Sequence, residues 1–587
     1  MNRHHLTRIF PFLEWAKTYN RQTASQDGIA AFIVTLMLIP QSLAYAMLAG
    51  LPPVVGLYAS ILPLVAYTLF GTSRALAVGP VAVISLMTAT ALSPLFVAGS
   101  VEYVQAALLL TFLSGVILMI LALLRFGFLV NFISHPVVSG FVTASAILII
   151  LGQTRHLLGI EAHGHNALAL LQSVMPQVTN IHPLTLALST FSVGFLLLAR
   201  YYGQRTLQAL GLPQKHAELL NKLAPVVALV ACTSAVMVWQ LDTRGVAVVG
   251  EVPIGLPDFH WPTLDWALMR QLFPIALLIS IVGFVESVSV AQTFAARRRQ
   301  RIDPNQELVG LGTANLASAF SGGMPVTGGF SRSVVNFDAG AQTPLAGTFS
   351  AIAIALTVLF FTPLFAYLPQ AVLAATITVA VLGLIDFSAV KRTWRYSRQD
   401  GAAMIMTMLG VLLIDVEVGI VLGVALSLLL FLWRTSQPHI AVLGQLPGTQ
   451  HFRNIERFNV IESPTVLSIR VDESLYFPNA RYLEDRIAAL IEQRPQMQHL
   501  VLLCTGINLI DASALESLEA IMERLHTAGI QLHLSEVKGP VMDQLQRSTF
   551  FQHFNGQVFT SHFDALRALD NTTTEQAYLA QHDPKTH

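Results

Sequence analysis

Two interrupted stretches and one isolated acid hold the residue types that could do chemistry. "SRALAVGPVAVISLMT" (Ser73–Thr88) is apolar apart from Gly79-Pro80 at its centre, and "GGFSRSVVN" (328–336) breaks at Gly329–Ser331 just before Arg332. A Gly-Pro pair stops one helix and suits the first turn of the next. A helix N-terminus offers unpaired N–H groups and about half a positive charge. Two such ends, one starting near Pro80 and one near Ser331, would together hold an anion. Val81, Ala82 and Val83 would supply backbone N–H groups, and Arg332 a fixed positive charge. Glu286, deep in "IVGFVESVSVAQTF", is the third feature, because an ionisable group in an apolar span is costly enough to mark function. Gln41 and Tyr45 in "LIPQSLAYAML" are four apart, on one helical face. Competing accounts are packing kinks at the breaks, a protonated packing hydrogen bond for Glu286, a snorkelling Arg332 and a capping role for Ser331.

Composition sets the medium for these residues. With 587 residues, 53% hydrophobic and 12% charged, and a mean hydropathy of +0.59, the chain reads as a polytopic membrane protein. Equal numbers of basic and acidic residues leave no basic face for nucleic acid. Cys232 and Cys504 lie too far apart in sequence for a CxxC site or a disulfide framework. No Walker or GxGxxG motif points to ATP drive. His4, His5, His163 and His165 have no convincing ligand set, so they read as loop residues, and no metal or other cofactor is expected. Residues 1–26 lack a signal-peptide pattern and read as a retained cytoplasmic segment.

Apolar runs occur at about 27–47, 51–71, 76–96, 101–124, 128–151, 181–200, 223–241, 272–296, 308–323, 329–341, 344–363, 370–385, 400–414 and 417–436. With the N-terminus cytoplasmic, the even loops should be basic. They contain Arg200, Arg205, Lys215 and Lys222, then "RRRQR" at 297–301, then Lys391, Arg392, Arg395 and Arg398. The odd loops hold Arg155 beside Glu161, and Arg244 and Arg270 among Asp242, Glu251, Asp258 and Asp265. Fourteen spans fit this pattern and return the C-terminus to the cytoplasm.

Past Pro438 the sequence alternates strands with amphipathic helices, as in a small α/β domain with a mostly parallel or mixed sheet, over about 440–575. The polar tail, 576–587, reads as disordered. In "NLIDASALESL", Asp511 and Ser513 sit at a strand-to-helix turn, where a helix cap is the simpler role.

The membrane part, 27–437, also repeats itself. "ISHPVVSGFVTASAILIIL" pairs with "YLPQAVLAATITVAVLGLI", and "PVVGLYASILPLVAYTLFGTSRALAVGP" with "PNQELVGLGTANLASAFSGGMPVTGGFS". Seven segments separate the partners. An odd repeat unit inverts the second half, which is the plan of secondary transporters with broken helices at the midplane.

The stretch 53–87 resembles the signature region of the sulfate permease (SulP) family, "GGFSRSVVN" resembles that family's second half-helix, and the soluble part resembles its STAS domain. The resemblance implies a fourteen-helix (7+7) inverted repeat in which segments 1–4 and 8–11 form a substrate-carrying core and 5–7 and 12–14 a gate. It further implies elevator-type movement and a homodimer. It places Gln41, Tyr45, Val81, Ala82, Val83, Ser331 and Arg332 at the anion and makes Glu286 the proton or sodium element. It matches Ser513 to a position phosphorylated in related bacterial regulators, although Ala514 stands where glycine often follows. The resulting expectation is a non-enzymatic secondary transporter of small anions, sulfate first, in a bacterial inner membrane, with a possible cytoplasmic regulator at the STAS-like domain. Bicarbonate or C4-dicarboxylate transport are the competing substrate readings. An uncoupled channel and a membrane sensor are the readings from other classes.

Overall fold

The computed structural model describes residues 10–131, 134–162, 164, 166–221, 223–250 and 255–580. His4, His5, His163, His165, Lys222 and Glu251 lie outside them. Each of the fourteen apolar runs contains a helix. In chain order these segments are Arg21–Leu48, Pro53–Phe70, Ala82–Leu92, Val101–Leu123, His135–Leu158, Pro183–Leu198, Ala224–Trp239, Trp266–Arg297, Pro304–Phe320, Phe330–Asp338, Leu345–Phe360, Gln370–Val381, Arg398–Leu413 and Val416–Ser436. Among the described residues, eight helical stretches are long and apolar enough to cross a bilayer. Large apolar side chains such as Val227, Val230, Leu356, Phe360, Leu409 and Val421 remain exposed on the protein itself. So much outward apolar surface needs lipid around it.

Several long helices begin with a conventional polar cap. Asn20 accepts from Thr23 N (2.9 Å), Ser100 from Tyr103 N (3.1 Å), Asp265 from Ala267 N (2.9 Å) and Asp303 from Asn305 N (2.9 Å). Segments 3 and 10, like segments 2, 5, 7, 11 and 12, begin without one. The caps of segments 3 and 10 are Val81 and Gly329, and neither receives a side-chain hydrogen bond. Each follows a short strand, β1 (Val78–Gly79) and β2 (Thr327–Gly328). The strands pair antiparallel, Val78 with Gly328 and Gly79 with Thr327.

This ribbon corrects two sequence expectations. Gly79 has φ +151°, a conformation that glycine alone adopts readily, and the backbone stays extended through Val81 (φ −131°, ψ 152°). The helix therefore starts at Ala82, with Pro80 outside its first turn. In the second half the helix starts at Phe330. Ser331 is its second residue and Gly329 its cap, which removes the capping account of Ser331.

Segments 1–4 and 8–11 pack mainly on one another as one group, and segments 5, 6, 12 and 13 do likewise as a second; segment 7 touches 6, 12 and 1, and Gly419 and Gly423 set segment 14 against 13. The groups adjoin where segment 1 meets segments 7 and 12 and where segment 3 meets segment 5. Segments 5 and 12, the proline-headed repeat partners, pack on each other.

The chain divides into two compact units, Met1–Ser427 and Leu428–His587. In the second, β3 (Ile440–Gln445), β4 (Phe452–Asn454), β5 (Val466–Val471), β6 (His499–Leu503), β7 (Gln531–Ser535) and β8 (Val558–Phe559) form one sheet in the order β4-β3-β5-β6-β7-β8. β3 runs antiparallel to β4 and β5, and β5 through β8 are parallel, so the sheet is mixed. Alternate β6 residues bury on opposite faces. Leu500 and Leu502 join a core with Leu518 and Phe550, and Val501 and Leu503 join one with Phe563 and Leu566. The tail is ordered further than expected. Asn571–Leu579 is a helix capped by Asp570, with Thr574 and Ala577 buried and Ala577 O accepting from Gly448 N (2.8 Å).

Candidate functional site

The β1–β2 ribbon brings the beginnings of segments 3 and 10 together. Backbone N–H and C=O groups cannot go unpaired in a bilayer interior, and polar side chains from neighbouring helices serve those of the extended stretches. Gly328 N donates to Ser287 Oγ (2.8 Å), whose hydroxyl pairs with Thr327 Oγ1 (2.6 Å). Asn315 accepts from Val326 N (3.0 Å) and donates to Val326 O (2.9 Å). Ala77 N donates to Ser333 Oγ (3.0 Å), and Asn336 Nδ2 donates to Ala75 O (3.1 Å). The ribbon is thus pinned on several sides. The first turns of segments 3 and 10 have no side-chain cap, so among the described residues their N–H groups remain as donors.

Arg332 is the third residue of segment 10, and its side chain stays inside the protein. It is 2% exposed, and both Nη atoms are buried without a hydrogen-bond partner among the described residues. Buried charges are normally paired. The guanidinium lies over the ribbon glycine Gly79 and the cap glycine Gly329: a Cβ on Gly79 would stand 2.6 Å from Nη1, and one on Gly329 2.9 Å from Nε and Nη2. The same Gly329 Cβ would be 3.1 Å from Val81 Cγ1, so the two helix starts adjoin around this cation. These facts rule out the snorkelling account of Arg332.

The other sequence candidates gather unevenly. Tyr45 (8% exposed) and Glu286 are the titratable groups near Arg332. Gln41 is buried in the same helix as Tyr45 and makes no hydrogen bond among the described residues. Val81, Ala82 and Val83 are buried at the start of segment 3, whereas Ser331 is exposed. Glu286 is half-buried and faces a small apolar crevice of about 30 Å³ lined by Val137, Phe141, Val282, Val285 and Ile420. That crevice lies between segments 5, 8 and 14, where the two groups of helices meet.

Two acids absent from the sequence reading prove to be fully buried. Glu307 accepts from Tyr67 Oη (2.7 Å), Thr72 N (2.8 Å), Thr72 Oγ1 and Ser73 N (3.1 Å). Asp27 accepts from Gln342 N (2.6 Å), Thr343 N (3.2 Å) and Thr343 Oγ1 (2.5 Å). Each ties one half of the repeat to the other and has its acceptor capacity used, unlike Glu286. Both sit at the edge of an apolar run, where an acid reads as interfacial.

In the soluble domain Asp511 is a cap. It accepts from Ala514 N (2.9 Å) and from Phe477 N (2.8 Å), and Ser513 is exposed at the second helical position. Burial pushes His533 and His562 down to about 4, with His499 adding to the effect at His533. Both are neutral at physiological pH.

The comparisons with known proteins agree with this architecture. Residues 25–407 match the Sulfate permease family and residues 457–565 the STAS domain. The chain is 35% identical to "Sulfate transporter 4.1, chloroplastic" of Arabidopsis thaliana over 92% of this chain and 79% of that protein. It is 34% identical to "High affinity sulfate transporter 2" of Stylosanthes hamata over 96% and 86%. Among solved structures, the murine Solute Carrier 26 family member A9 anion transporter in the inward-facing state has a TM-score of 0.89 at 21% identity, covering 97% of this chain and 96% of that one. The transmembrane domain of a cyanobacterium bicarbonate transporter, BicA, has a TM-score of 0.57 at 22% identity, covering 70% and 98%. From the paired half-helices through to the mixed-sheet domain behind them, the chain belongs to the sulfate permease family and carries a C-terminal STAS domain.

Proposed function

We infer that this protein is a secondary transporter of small anions, with sulfate its first substrate. One observation carries the reading: a buried guanidinium whose two Nη atoms have no hydrogen-bond partner among the described residues, at the junction of two helix N-termini whose cap residues make no side-chain hydrogen bond. An anion there would receive backbone donors from around Ala82 and Ser331 and charge-assisted bonds from Arg332. Gln41, Tyr45 and the side chains of Val81, Ala82 and Val83 shape the pocket. The printed names of the relatives above favour sulfate. Because the donors are mostly backbone, the site reads charge more than identity, and bicarbonate and C4-dicarboxylates belong in the same assays.

Charge counting suggests the coupling. Two helix ends contribute roughly +1 together and Arg332 another +1. A sulfate dianion is then balanced when Glu286 is neutral, so sulfate travels with a proton on Glu286. Segments 1–4 and 8–11 carry the site past segments 5–7 and 12–14 in an elevator-type movement. Both termini are cytoplasmic, in a bacterial inner membrane, and the protein works as a homodimer. The STAS domain regulates it, with Ser513 exposed for modification and Asp511 holding the turn.

Uptake of labelled sulfate, bicarbonate and succinate into proteoliposomes, with and without proton or sodium gradients, tests this reading. Glu286→Gln should keep sulfate exchange and lose acceleration by an inward proton gradient. Unchanged gradient dependence in that variant would remove Glu286 from the mechanism, and absence of uptake of all three anions would remove the transporter reading.

A further inference from the structure

A cavity of about 190 Å³, with apolar and polar lining, lies at the opposite end of segment 3 from Arg332. Its lining includes Leu86, Ala89, Thr90 and Ser93 after the half-helix start, and Leu148, Ile149, Gln153 and Arg155 of segment 5. At 1.5 Å per residue, Thr90 is about 12 Å along the helix axis from Ala82. Leu86, Leu148 and Ile149 are its apolar wall on the Arg332 side. On the topology proposed above, the cavity faces the exterior.

Three observations give this cavity a chemistry. Arg155 is the one charged group among its described lining residues. Its Nε donates to His156 Nε2 (3.0 Å), and it forms no ion pair with a carboxylate among the described residues. Gln153 is 4% exposed overall, lines the cavity, and its amide makes no hydrogen bond among the described residues. The Thr90 hydroxyl is committed to Met87 O (3.0 Å), so among the described residues the side-chain donors left to the cavity are Arg155, Gln153 and the Ser93 hydroxyl, of which Arg155 alone is charged. With a water occupying about 30 Å³ of liquid, the space holds a small oxyanion with part of its hydration shell.

We propose that Arg155 and Gln153 form an outer anion-holding site that loads the carrier from outside. It lies where segments 3 and 5, from the two groups of helices, adjoin. An anion held there waits above the apolar layer and passes down segment 3 when that layer parts. The proposal rests on the transporter topology given above, and its test includes a readout that needs no transport.

In the full-length protein, Thr90→Cys places a thiol in the cavity, and the native Cys232 and Cys504 are buried. Its modification rates by an anionic and a cationic methanethiosulfonate of similar size report the local potential. One charge at about 7 Å in water alters each rate about three-fold, in opposite directions. Adding Arg155→Gln should therefore lower the anionic-to-cationic rate ratio several-fold, and sulfate should protect the thiol only when Arg155 is present. In proteoliposomes, Arg155→Gln alone should raise the KM for external sulfate several-fold, less at high salt, and leave the KM for internal sulfate unchanged. Arg155→Lys should restore part of the difference. An unchanged rate ratio without sulfate protection, or an equal KM change on both faces, overturns the proposal. A wild-type protein that transports nothing yet shows the protected thiol would retire the transporter reading and keep the site.

Discussion

Gly329→Ala perturbs the Arg332 site without backbone strain, because Gly329 has an ordinary φ of −86°, and its methyl presses on Arg332 more closely than on Val81 Cγ1 at 3.1 Å. The new methyl would stand 2.9 Å from Nε and Nη2 of Arg332, against about 3.4 Å for ordinary contact. The guanidinium must therefore move by about 0.5 Å. With an anion centre about 4 Å from the guanidinium and an effective dielectric near 20, that movement weakens attraction by about 0.5 kcal/mol for a monoanion and about 0.9 kcal/mol for a dianion. Sulfate affinity should fall about five-fold and that of a monoanion such as nitrate about two-fold. Isothermal titration on purified protein measures both, with the unliganded melting temperature as a check on folding. Gly347→Ala is the control, since its methyl would meet Leu64 Cδ2 at 3.5 Å. Equal losses for both anions, or none, would refute the placement of charge beside the substrate.

Further outcomes follow from the buried polar groups. Glu307→Ala strands donors on Tyr67, Thr72 and Ser73, so it should destabilise the protein by on the order of 3–5 kcal/mol; a melting temperature equal to wild type would show that Glu307 does not join the two halves. His562, held at about 4 by burial, is lower than the ordinary 6.5 of histidine, so the fold favours its neutral form. The stability it contributes is complete above pH 6.5 and is lost as pH falls toward 4, amounting to about 2 kcal/mol by pH 5. Denaturant unfolding of residues 438–587 at pH 7.5 and 5 should show a pH dependence smaller by about that much in His562→Gln, and an identical dependence in the two proteins would contradict the assignment.

Much of this site was legible because its residues break local rules. Gly79-Pro80 and Gly329 interrupt apolar runs, and Arg332 and Glu286 place charge where burial is costly, so each stands out without tertiary information. The ribbon was not legible. Two-residue strands have no periodicity, and pairing Val78 with Gly328 depends on a contact 250 residues distant in sequence. That pairing moves the first helix start from Pro80 to Ala82. Glu307 and Asp27 escaped because their donors come from the other half of the repeat. The helix Asn571–Leu579 escaped for a related reason: its sequence is polar and short, and Gly448 and the Ser463 bond to Asp570 (2.6 Å) hold it in place.

The central claim is the position of the anion, and anomalous scattering from crystals grown with selenate, an isostere of sulfate, locates it directly. The account predicts a selenium peak within hydrogen-bond reach of the backbone N–H groups around Ala82 and Ser331 and of the Arg332 guanidinium, and loss of that peak in Arg332→Ala. A peak elsewhere in the membrane domain with none at this junction, or a peak there that survives Arg332→Ala at full occupancy, would contradict it.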